Sequence, residues 1–152
     1  MFMPNIPRRK IYEKMLELED ILLDMHVLLI SEENFKSHLE KFNSKFPKLK
    51  IIIIEIKVLF IFFLENTKFE EEKDFQNTLN IMIKDENKVN KELLNNKNLT
   101  KKFKETILDI QNFFNTNLNI KNIEQGKELF KILDLFNSLI PKVLEIRRDN
   151  MK

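Results

Sequence analysis

The sixteen residues from Leu49 to Leu64 contain only three polar side chains, Lys50, Glu55 and Lys57. Ile51 to Ile54 are consecutive isoleucines, and Val58 to Leu64 is an unbroken run of Val, Leu, Ile and Phe. So apolar a run has to be covered, and the rest of the chain has to supply the cover. Ile and Phe on their own favour a strand. The length without a turn signal points instead to a helix. A membrane span needs about 20 predominantly apolar residues, and a charge in mid-run is expensive in lipid. The expectation is a buried core helix near 49–65 and no membrane span.

The flanking segments carry the periodicity of covering helices. Ile11, Met15, Leu18, Leu22, Met25 and Leu29 step by four and three, a heptad seam on one face. Tyr12, Leu16, Leu23 and Val27 would widen that seam, and Pro7 stands where a helix start tolerates it. Ser31 is a candidate cap, with Glu32 and Glu33 at the positive dipole end of the next helix. Phe35, Leu39, Phe42 and Phe46 follow at helical spacing, and Pro47 is expected to stop the run. The connection between these two helices is short, which predicts a helical hairpin.

Beyond the apolar run, Thr67 with Glu70 fits a capping box before Phe69, Phe75, Leu79, Met82, Val89 and Leu93. Asp85 to Asn87 weakens the middle of that pattern. Phe103, Ile107, Ile110 and Phe114 mark a further helix. Asn122 with Gln125 is a second capping pair. It opens a long pattern from Leu129 to Leu144, in which Pro141 predicts a kink or a split. The fold class is therefore all-α: a single-domain bundle of about five or six helices. A short extension at 1–7 precedes a bundle domain at 8–150. No repeat of solenoid period and no composition shift is visible.

Composition limits the chemistry. There is no Cys and only one Gly, which excludes disulfides, thiolate nucleophiles, phosphate-cradling loops and dinucleotide fingerprints. There is no Ala, but there are 22 Lys, 19 Ile, 18 Asn and 14 Phe, the pattern expected of an AT-rich genome. The two histidines, His26 and His38, lack the Glu three residues earlier that carboxylate-bridged metal bundles use. The Arg–His pair of HEPN-type helical nucleases is missing too, since Arg occurs only at 8, 9, 147 and 148. Serines 31, 37, 44 and 138 read as caps or surface residues. The Glu70–Glu72 run reads as a solvated face early in a helix. The expectation is thus no catalytic, cofactor-binding or metal-binding residue and no cofactor.

Basic residues cluster at Arg8, Arg9 and Lys10; at Lys97, Lys101, Lys102 and Lys104; and at Arg147 and Arg148. They are the candidate nucleic-acid contacts, although a net charge of +2 provides no strong global field. The start of the chain has neither the apolar stretch of a secretory signal nor the acid-poor composition of a transit peptide. An intracellular, cytoplasmic location is the corresponding expectation. The leading functional expectation is a non-enzymatic protein that binds a protein partner or a larger assembly through apolar helix faces. The alternative is an RNA-contacting accessory subunit that uses the basic clusters.

Overall fold

The computed structural model describes residues 6–30, 35–117 and 119–150, and their side chains except at 35–36 and 146–150. These residues form seven α-helices and no strand: α1 (Ile6–Ile30), α2 (Phe35–Ser44), α3 (Phe46–Leu64), α4 (Glu72–Ile83), α5 (Glu86–Leu94), α6 (Lys101–Thr116) and α7 (Ile123–Asn150). The architecture is an all-α bundle, and no described helix is long and apolar enough to cross a membrane. The proposed Ser31 cap lies outside the described residues.

Helix α3 is the core element. It packs against α1, α5, α4 and α2, and buries fourteen of its residues. Lys48 is exposed in its first turn, and each of the three polar side chains farther along has a specific partner. Lys50 lies over the Phe114 ring, 5.1 Å from its centroid. Glu55 pairs with Lys14 of α1 at 2.9 Å. Lys57 is fully buried and its Nζ sits 3.5 Å from the Glu86 carboxylate, at the first turn of α5. The apolar run 49–64, with its three charges, becomes a core helix because neighbouring helices bring a partner to each.

Two helix boundaries differ from the expectations. Pro47 does not end α2; it occupies the first turn of α3, where its missing N–H costs nothing. The helix therefore starts at Phe46, whose ring is buried. Thr67 and Glu70 do not cap α4, which begins at Glu72 behind Glu71 with no side-chain cap. Thr67 is committed to closing α3 instead. Its N–H donates to the Phe62 carbonyl at 2.9 Å and the Asn66 N–H to that of Phe63 at 3.2 Å. Asn66 has a φ of 55°, so this is a Schellman closure with Asn in the left-handed position usually held by Gly. At Pro141, where a kink or a split is expected, there is no split: helix α7 continues through it, and Ile140, Val143 and Leu144 stay buried on either side.

Other signals correspond directly. The weak point at Asp85 is a full break, where the Asp85 side chain caps α5 by accepting from the Lys88 N–H at 3.2 Å. That break brings the count to seven. The Asn122 side chain accepts from the Gln125 N–H at 2.9 Å, and the Gln125 side chain accepts from the Lys121 N–H at 2.7 Å. This is a capping-box arrangement at the start of α7.

Three contacts set the register of α7 on α1. A Cβ on Gly126 would meet Leu29 at 2.6 Å, the Phe130 ring lies 5.4 Å from that of His26, and the Asn137 amide donates to Glu19 at 3.4 Å. The two helices are antiparallel, and the only glycine of the chain marks their close approach.

Candidate docking face on the first helix

Helix α1 has two apolar faces. The heptad seam turns inward as its spacing requires: Ile11, Leu18, Leu22, Met25 and Leu29 are buried and Met15 is partly so. Tyr12, Leu16, Leu23 and Val27, expected to widen that seam, do not join it. With Ile30 they are exposed, Leu16 at 59%, Leu23 at 64% and Ile30 at 65%. At about 100° per residue these five side chains fall within an arc of about 60°, on the side of α1 away from the seam. They form one stripe about 27 Å long. The physical reason is the width of the supporting surface. α3, α7 and α2 pack against α1, and the exposure of these five side chains shows that none of the three covers them.

The stripe has an acidic surround. Glu13, Glu17, Glu19, Asp20 and Asp24 are all exposed on the outward half of α1. Between residues 11 and 30 the sole Lys or Arg is Lys14, which pairs with Glu55 and Glu17 at 2.9 and 3.0 Å. Burial works against the Lys14 charge, but the two carboxylates more than offset it and hold its pKa above the usual lysine range. Lys10 and Lys45 are drawn to Glu13 and Asp24. Leu16 borders a groove of about 450 Å³ between α1, α3 and α4. Leu59, Phe75 and Leu79 line it together with the charged Lys10, Glu13, Lys14, Glu17 and Glu55.

The basic clusters are placed less favourably. The antiparallel register carries residues 147 and 148 of α7 toward the level of Arg8 and Arg9; the side chains of Arg147 and Arg148 lie outside the described residues. Arg9 is exposed, Arg8 is half-buried, and Lys10 is paired with Glu13 and Glu72. Phe103, near the start of α6, stacks on Phe136 at the middle of α7 and packs edge-on against Phe60 late in α3, toward that end. Lys97, Lys101 and Lys102 are exposed there, Lys104 is half-buried, and Lys101 reaches Glu105 at 3.9 Å. The same end also holds Glu65, Glu72 and Glu92, so the sign of the charge is mixed. Burial, aided by Glu92, raises the pKa of Glu65.

His26 is exposed against Phe130, and His38 is half-buried on α2. Among the described residues no group of three His, Cys, Asp or Glu is arranged to hold a metal ion. No protein-family model matches the chain, and no curated protein or solved structure matches it.

Two features escaped the sequence reading. One is the outward stripe, whose residues were visible but whose face was not. The other is the buried polar pair of Lys57 and Asn90, the latter 2% exposed on α5 one turn beyond Glu86. Asn90 in a polar helix carries no signal of burial. Lys57 in an apolar one does, without naming its partner.

Proposed function

We propose that this chain is a small, non-enzymatic helical protein that acts by docking another protein on the outward face of α1. The observation that supports the reading is the stripe itself. Tyr12, Leu16, Leu23, Val27 and Ile30 are exposed together on one helix face whose opposite face is fully engaged in the core. Scattered exposed apolar residues need no explanation; a stripe aligned along one helix is the pattern of helix-mediated recognition. The isolated Ile81, 71% exposed on α4, is the internal contrast.

A photoreactive side chain placed at Leu23 or at Ile81, in the cells that make the protein, tests the reading. Adducts to a defined protein from position 23 and none from position 81 are expected. Equal labelling from both, or none from position 23, would remove the α1 face as the docking site.

A second reading, RNA contact by an accessory subunit, is favoured by the convergence of Arg8 and Arg9 with residues 147–148 and the start of α6. Changing Arg8, Arg9, Arg147 and Arg148 to Gln would then release bound RNA and flatten the salt dependence, by roughly one unit of slope per lost phosphate contact. On the docking reading the same variant keeps its partner. The mixed charge of that end is why the docking reading stands first.

A further inference from the structure

The occupant of the α1 face has a charge signature, and this inference rests on the docking reading. We infer that the face takes a basic amphipathic helix: a partner helix with an apolar stripe flanked by Lys or Arg. Three observations converge on it. The stripe is long and straight, matching several turns of a second helix. Its outward surround between residues 11 and 30 holds five exposed carboxylates and no outward Lys or Arg. The groove beside Leu16 repeats that sign, with Glu13, Glu17 and Glu55 against Lys10 and Lys14, both of which those carboxylates already hold. A partner Lys or Arg beside Asp20 gains an attraction that is not already taken up, because no ion pair among the described residues involves Asp20.

The same charges disfavour the other occupants. A second copy that uses the whole stripe places the Glu19–Asp20 pairs of the two copies within one turn of each other, a like-charge juxtaposition. An anionic lipid surface or a nucleic acid is repelled by the carboxylates that flank the stripe.

The test uses the full chain and two synthetic amphipathic helices that share one apolar stripe, one flanked by Lys and Arg, the other by Glu. The basic peptide is expected to bind at least about tenfold more tightly at low salt, with the advantage shrinking as salt is raised. An Asp20→Lys variant, exposed and outside the core, should melt normally and weaken or lose that preference. Equal binding of the two peptides would overturn the charge inference while leaving the docking reading intact. Binding of neither, or a chain dimer abolished by Leu16→Gln/Leu23→Gln, would also overturn it. Position-23 labelling decides the docking reading separately, so the two failures are distinguishable.

Discussion

Lys57 is the residue at which core chemistry is most exposed to test. Its ammonium is fully buried, and burial pushes its pKa below the usual 10.5 against the pull of Glu86. The unfolded chain therefore holds this proton up to the usual value, whereas the folded chain releases it earlier. Between the two pKa values the unfolded state binds more protons, so stability rises with pH across that window. Lys57→Met should remove this rise and raise stability by about 1 kcal/mol, because Glu86 is half exposed and is left hydrated rather than stranded. Glu86→Gln should do the reverse, leaving Lys57 without its counter-charge and costing about 1–3 kcal/mol. Thermal melts from neutral pH to pH 10 check both. Phe63, 3% exposed in the same helix, gives the opposite extreme. Phe63→Asp should cost several kcal/mol, roughly the figure for a buried unpaired charge, and appear as loss of the folded fraction or aggregation. A soluble variant with unchanged melting would contradict its burial.

At the scale of the elements, the ends of the helices carry the information. Asn66 closes α3 in the left-handed region at φ 55°, so Asn66→Gly should be neutral or stabilising by up to about 1 kcal/mol. Asn66→Val at the same backbone position should destabilise by about 1–2 kcal/mol, since a β-branched side chain resists positive φ. Urea unfolding of the pair reads the difference. The closure of α3 takes up the Thr67 N–H that a Thr67–Glu70 capping box would have offered to the Glu70 side chain. Two competing local signals met at Thr67, and the one coupled to the buried helix prevailed. Pro47 shows the same ambiguity, since a proline marks a boundary without saying which side of it is helix.

For the whole molecule, the division of α1 into a seam and a stripe is the property on which the proposed docking function rests. Leu23→Gln/Val27→Gln removes two exposed apolar side chains from the stripe and should leave the midpoint of thermal unfolding unchanged within about 3 °C, since substitutions of exposed residues are usually worth less than about 0.5 kcal/mol each. Leu18→Gln, on the buried side of the same helix, should cost about 3 kcal/mol, since it opens the core to an unsatisfied amide. If the double stripe variant melted like Leu18→Gln, the stripe would belong to the core and the docking face would not exist.

Periodicity, capping chemistry and the apolar run at 49–64 by themselves determined that this chain is helical, where the central helix lies and which α1 residues form the seam. These are properties of residues close in sequence, governed by the turn of the helix and by local hydrogen bonds. The pairing of Lys57 with Glu86, the close approach at Gly126 and the outward turn of Leu16, Leu23 and Val27 depend on contacts between segments far apart in the chain. A heptad seam and a second stripe on one helix are equally apolar in sequence. Only the placement of α3 and α7 against one of them decided which was buried and which was left exposed.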